Sequence, residues 1–386
     1  MSISRLSSLP SGNSGAVTRL AWIAEDRETV LLLRQTILRE AVRRRHKVLV
    51  LAQGLTPADQ AALTIEGIES APFTSVQDTG NPFTWLLARR RLTHILQQWR
   101  ASAAVVEGPG ILELGTRAAV QAGVGPIHVI LPAMAPHASA AGIPPAWRRA
   151  LMSAQTMFAA TANDARSIAA AHNGTSPIAF HILPPVAVDI HAVACEPLPA
   201  IGQRLAFLAA IDPAQNSGSP MFVEAVRHLD GRVADARFVA VHLGEMEKSA
   251  DDGTPPAHMQ TRSVPLADPA ALKAAIRDAH VVVVTGASAY QLTVLATALA
   301  VGRPVLAIDE PFNRDVIDAG ANGWLAPQSN PAALAEAMAA ILNRPDLLPA
   351  MARSARLKAE RRLDLVNARN LFCSVLSLPD LRSAAA

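Results

Sequence analysis

Charge is absent from one long stretch of this sequence. From Val281 to Gly302 the chain reads "VVVVTGASAYQLTVLATALAVG", without a single charged side chain. Aromatic residues are also scarce, at 4% of 386 residues with one tyrosine. That argues against a β-sandwich and for helices packed on buried parallel strands. Only two cysteines are present, Cys195 and Cys373, far apart and outside any CxxC or Cys/His spacing. This excludes a disulfide framework and a structural zinc site, and suits a reducing compartment. A formal net charge of +3 is too small to drive nucleic-acid binding without a concentrated patch. The opening "MSISRLSSLPSGNSG" has no apolar core, so it reads as a short disordered tail over 1–16 and not as a secretory signal. The uncharged stretch is long enough to span a bilayer. Its Gly286, Ser288, Tyr290 and Gln291, and the turn after four valines, argue against that.

Half of the residues are hydrophobic, and they are arranged in alternating patterns. "TRLAWIAED" reads as a buried strand, "ETVLLLRQTILREAVRRR" (28–45) as one helix, and "HKVLVLAQG" as the next strand. "TPADQAALTIEG" carries a capping Thr, a Pro at the first helical position and a Gly stop. Further strands are expected at "IESAPFT", "AAVVEGPG" and "IHVILPAM", with helices between them. A Pro-rich segment without sustained period interrupts the alternation, which restarts at "RLAFLAAID" and continues through "ARFVAVHLG", "HVVVVTG" and "PVLAIDE". The stretch "EMEKSADDGTPPAHMQ" reads as a polar loop. The expected organisation is a first α/β domain over 17–190, a linker over 191–203, a second over 204–364, and a C-terminal helical segment over 365–386 that crosses back to the first. The fold class is two doubly wound, Rossmann-like domains with an interdomain cleft.

Ligands of doubly wound sheets sit outside the carboxyl ends of the strands. That selects Thr285, Gly286, Ser288 and Gln291 after "VVVV", Glu310 after "PVLAID", and Asn216 after "RLAFLAAID" as residues for phosphate or ribose. In the first domain it selects Glu107 as a base or acceptor-orienting acid, with Glu25 and Asp26 as similar candidates. His137 is a further catalytic candidate, in a Pro/Ala loop beyond the fifth strand. No metal site is read from the sequence. The helix at 83–100 places Trp85, Leu92, Leu96 and Trp99 on one face, with Leu87, Arg90 and Arg91 on the other. Either this is a core stripe with a solvated back, or the back docks on an anionic membrane surface.

The run Ala300–Met351 contains Gly302-Arg303-Pro304, Gly320-Ala321-Asn322-Gly323-Trp324-Leu325 and Pro331-Ala332-Ala333-Leu334. In this order and spacing it resembles the C-terminal half of GT-B glycosyltransferases of the large retaining, nucleotide-sugar-using group. "LLLRQTILREAVRRRHKVLVLAQG" is similar to the opening of its polysaccharide-biosynthesis branch. The resemblance implies a nucleotide-sugar co-substrate and no other cofactor, with a glycan acceptor that is lipid-linked or a growing polysaccharide. It also implies a cytoplasmic enzyme peripheral to the inner face of the membrane. The family typically has two glutamates eight positions apart and an Arg/Lys pair on the diphosphate. Matched through Gly302-Arg303-Pro304, the glutamate positions are Ala289 and Thr297, and the loop "AAIDPAQNSGS" has neither Arg nor Lys. Three functions are therefore carried forward. One is a hexosyltransferase. Another is a degenerate GT-B protein acting as a non-catalytic partner or scaffold of an active glycosyltransferase. The last is an unusual donor, or an unrelated two-domain enzyme such as an epimerase of the same fold, for which Glu107 and His137 are the few acid/base candidates. None involves nucleic acid.

Overall fold

The computed structural model describes residues 17–73, 82–131, 143–171, 178–202, 204–211, 221–229, 236–243, 259–264, 269–327 and 330–381. The expected N-terminal tail, His137 and Asn216 lie outside these residues. The chain divides into two compact units. One comprises Met1–Pro132, Pro136–Leu183 and Arg369–Ala386; the other comprises Ala133–Ala135 and Pro184–Ala368.

The first unit holds strands β1 (Arg19–Ala24), β2 (Lys47–Ala52), β3 (Glu69–Pro72), β4 (Ala103–Glu107), β5 (Ile127–Leu131), β6 (Thr156–Ala159) and β7 (Ala179–Ile182). They form one parallel sheet in the order β3-β2-β1-β4-β5-β6-β7. The second unit holds β8 (Leu205–Ile211), β9 (Ala236–Leu243), β10 (Met259–Val264), β11 (Val281–Val284), β12 (Val305–Ile308) and β13 (Gly323–Ala326). These are parallel in the order β10-β9-β8-β11-β12-β13. The central strands are buried residue after residue, as strands covered by helices on both faces must be. Each sheet reverses its winding once, between β1 and β4 and between β8 and β11.

Several elements differ from the sequence expectation. The first helix is not uniform: a π-helical stretch at Thr29–Arg34 runs into an α-helix at Gln35–Arg43. The polar loop ending at Gln260 instead leads into β10, an edge strand whose Gln260, Thr261, Arg262 and Ser263 are all exposed and which therefore shows no apolar period.

The boundary between units falls after Leu183, and residues expected to form a linker at 191–203 are fastened to the second unit. Arg303 is 0% exposed and donates to the carbonyls of Glu196 and Pro197 at 2.8 Å and of Arg277 at 2.9 Å. Arg356 donates to the carbonyls of Val193, Ala300 and Ile190 at 2.7, 2.7 and 2.9 Å. These carbonyls have no sheet or helix partner to satisfy them, so a cation with five donors takes that role.

The C-terminal helix Leu365–Val375 enters the first unit from Arg369 onward. Phe372 lies between Trp22 and Phe158, with ring centroids 5.2 and 5.4 Å away. Buried Glu40 on the first helix pairs with Arg43, Arg44 and Arg369. Burial would raise this carboxyl, but the arginines bring it down to about 2. Arg44 also donates to the Leu378 carbonyl at 2.9 Å.

Two histidines close the amino ends of the sheets in the same way. His46 Nδ1 accepts from the Thr18 amide at 3.1 Å, so its proton sits on Nε2, which is 2.8 Å from the Pro379 carbonyl. His280 Nδ1 accepts from the Ala206 amide at 3.0 Å, and its Nε2 faces the Ala200 carbonyl at 3.3 Å.

Two stability predictions follow from these buried groups. Arg303→Met removes the donor from three part-buried carbonyls and is expected to cost ~2 kcal/mol, read as a lowered thermal or urea midpoint. His128 on β5 is 3% exposed, neither ring nitrogen has a hydrogen-bond partner, and burial holds its pKa down to about 4. The unfolded chain therefore binds this proton first as pH falls. Stability is lost from about pH 6.5 downward and reaches its full deficit of ~3 kcal/mol below about pH 4. His128→Leu should flatten that part of the stability–pH curve.

Candidate functional site

The carboxyl ends of β11 and β12 carry the most complete arrangement of candidate residues. β11 ends at Val284, the turn Thr285–Ser288 follows, and the helix Ala289–Val301 begins. Ser288 caps that helix, its hydroxyl oxygen accepting from the Gln291 amide at 3.4 Å. The hydroxyl proton remains available to donate. Thr285 is half-buried and Gly286 buried. From Tyr290 to Val301 every helix residue except Thr293 is buried. The helix packs on its own sheet and against the helices Pro269–Arg277 and Leu348–Arg362. This burial explains why the stretch has no charge: an ionised side chain on any of these faces would be desolvated without a partner. Gly302 ends the helix at φ 84°, and a Cβ there would lie 3.0 Å from Cys195 Sγ.

Gln291 is corrected by its surroundings. Its side chain is 1% exposed; Nε2 donates to the Ala210 carbonyl on β8 at 2.6 Å, and Oε1 accepts from the Thr285 amide at 3.2 Å. It braces the two strands at the winding reversal, with both ends of its amide already used, and presents no group to a ligand. Ala289 and Thr297 offer no carboxylate; Thr297 is buried and its hydroxyl donates to the Thr293 carbonyl at 2.8 Å.

Glu310 follows the adjacent β12, half-buried at the start of the helix Pro311–Val316, and its amide donates to Ile308 at 2.8 Å. Its neighbour Asp309 is paired with Arg314 at 2.9 Å, which holds that carboxyl below its usual range. Asn313, unnoticed in the sequence, is fully buried and donates to the Ile308 carbonyl at 2.9 Å, fixing the end of β12. Thr285, Ser288 and the turn backbone follow β11, and Glu310 follows the paired strand β12. The amides, hydroxyls and helix dipole after β11 are of the kind that holds phosphate oxygens.

The first unit treats its acids differently. Glu107 ends β4 but is turned inward, 1% exposed beside Arg34, which is also 1% exposed. Arg34 Nε donates to Oε1 at 2.8 Å and Trp22 Nε1 to Oε2 at 3.1 Å. Burial raises the Glu107 carboxyl, and Arg34 and Trp22 oppose that. Glu107 is thus the counter-ion of a buried arginine, not an acid facing an acceptor. Arg34 carries no sequence signal because it falls within a helix otherwise rich in exposed arginines. Asp26 accepts from the Thr29 amide at 2.6 Å, and Glu25 accepts from the Gly110 amide at 2.9 Å. Gly108 is required there: at φ 111° any Cβ would lie 2.6 Å from Glu25. Among the described residues no group of three or more His, Cys, Asp or Glu could hold a metal. No helix among them is long and apolar enough to cross a membrane.

With this geometry in view, residues 202–344 match the family model of glycosyl transferases group 1. No curated protein matches the chain. Among solved structures, HepE from Anabaena in complex with UDP and glucose is 14% identical with a TM-score of 0.66, covering 93% of this chain and 99% of that one. Sucrose-phosphate synthase from Thermosynechococcus elongatus is 12% identical with a TM-score of 0.65, covering 96% and 100%. A glycosyltransferase from Rickettsia africae is 12% identical with a TM-score of 0.64, covering 93% and 97%. These likenesses show the fold: two parallel-sheet α/β domains of the GT-B glycosyltransferase type.

Removing Glu107 tests its assignment. Glu107→Ala leaves Arg34 charged and buried and is expected to destabilise the protein by ~3–5 kcal/mol, whereas the double change Arg34→Met/Glu107→Leu should cost less. The comparison is a pair of chemical denaturation curves.

Proposed function

We propose that this protein is a hexosyltransferase that moves a sugar from a nucleotide-sugar donor to a lipid-linked or growing polysaccharide acceptor, at the cytoplasmic side of a membrane. The match of residues 202–344 to glycosyl transferases group 1 carries the reading. The polar ends of β11 and β12 fall within that span, and there the donor diphosphate would meet the amides of the Thr285–Ser288 turn and the capped helix. Glu310 would take the ribose hydroxyls. No metal is required in this scheme, because the helix dipole and turn amides oppose the diphosphate charge. Charge-assisted bonds from an Arg/Lys pair are each worth ~1.5–3 kcal/mol, so their replacement by neutral donors points to a weakly held leaving group.

A second reading is favoured by Ala289 and by Thr297, whose hydroxyl is spent on its own helix. Here the fold persists as a non-catalytic partner or scaffold of an active transferase.

Calorimetric titration with UDP and other nucleoside diphosphates tests the first reading. Binding is expected, weakened about fivefold by Ser288→Ala through loss of the cap and of one hydroxyl donor. The absence of heat at millimolar ligand would overturn donor binding. Binding without release of nucleoside diphosphate from any sugar nucleotide would select the second reading.

A further inference from the structure

In doubly wound sheets a ligand sits beyond the carboxyl ends of the strands where the winding reverses. In the second unit that place is the turn after β11. In the first unit it lies between β1 and β4, where the segment Glu25–Glu28 after β1 is joined to Gly108–Gly110 after β4. The Glu25 amide donates to the Glu107 carbonyl at 3.0 Å, and the Gly110 amide donates to the Glu25 carboxylate at 2.9 Å.

The charged side chains at this reversal are, with one exception, committed to the protein. Glu107 is turned in toward Arg34 and Trp22. Glu25 holds the Gly110 amide. Asp26 accepts from the amide and the hydroxyl of Thr29 at 2.6 and 3.1 Å. Arg27 donates to Asp59 at 2.9 Å. Gly108, Pro109 and Gly110 bring no polar side chain.

Glu28 is the exception. Its side chain is 29% exposed, and the one amide that donates to it is its own. The nearest cation, Arg27 Nε, is 3.9 Å from Oε1, beyond hydrogen-bond distance, and that nitrogen is itself buried without a hydrogen-bond partner. A carboxylate drawn partly out of water is ordinarily met by donors. Here burial raises the Glu28 carboxyl, its own amide and Arg27 oppose that, and Asp26 and Asp59 add to it. A ligand that satisfies Glu28 must therefore donate hydrogen bonds and carry no negative charge. Asp26, Glu28 and Asp59 outnumber Arg27, so a phosphate would be repelled, which excludes the diphosphate of a sugar nucleotide. Sugar hydroxyls meet both conditions, and two adjacent hydroxyls can donate to the two oxygens of one carboxylate.

We propose that Glu28 binds the acceptor glycan, its carboxylate accepting from hydroxyls of the acceptor sugar. Naming that sugar the acceptor rests on the transferase reading; the binding itself does not, and it is tested without a donor. Saturation-transfer NMR on the full-length protein uses methyl glucoside, methyl mannoside and methyl galactoside at millimolar concentration as acceptor fragments. Saturation transfer to at least one of them is expected, and Glu28→Gln should weaken that binding about tenfold through loss of charge-assisted hydrogen bonds. The melting temperature of Glu28→Gln should equal or exceed that of the unchanged protein, because an amide bears burial without donors better than a carboxylate does. Its calorimetric titration with UDP should be unaltered. Absence of transfer to every hexoside overturns the proposal, as does full retention of binding in Glu28→Gln. A lowered melting temperature together with lost binding would make Glu28 a structural group. Binding confined to methyl glucosaminide would reassign it to an amine. A protein that binds hexosides but no nucleoside diphosphate loses the donor reading and keeps this assignment, whereas one that binds UDP and no hexoside loses this assignment alone.

Discussion

Parallel strands covered on both faces exclude charge from their interiors, and most of the notable chemistry of this protein follows from where that charge must go. In both units the polar groups collect where strands begin or end, and nearly all are committed to the backbone or to each other. Arg34 and Glu107 neutralise one another at the end of β4, Gln291 closes the gap between β8 and β11, and His46 and His280 cap the opposite ends. Each satisfies a group that the sheet itself cannot.

The layered architecture was legible because long apolar runs bounded by Gly, Pro and capping residues are direct consequences of burial on both faces. The exceptions have physical reasons. β10 is polar because it lies at an edge of its sheet, and β7, at an edge of the first sheet, has no fully buried residue to mark a period. The π-helical stretch Thr29–Arg34 has the composition of an ordinary helix, so nothing in its residues sets it apart. Thr285, Ser288 and Glu310 were selected by their position after strands, and the structure has them there. Gln291 could not be separated from them, because its role is set by Ala210, which is 81 residues away in sequence. Glu107 was misread for the same reason: its partner Arg34 is 73 residues away.

The uncharged stretch Val281–Gly302 thus has two explanations for its two parts. The helix lacks charge because it is enclosed. The turn that precedes it is accessible enough to carry charge, yet is furnished with hydroxyls and amides only.

The position of Phe372 affects how the protein is made. The sheet of the first unit is complete by Ile182, but the aromatic side chain that fills the space between Trp22 and Phe158 is encoded 190 residues later. During synthesis this aromatic contact cannot form until the helix Leu365–Val375 has been translated, after the whole of the second unit. A chain stopped short of Phe372 would have the strands of the sheet but not the ring between Trp22 and Phe158.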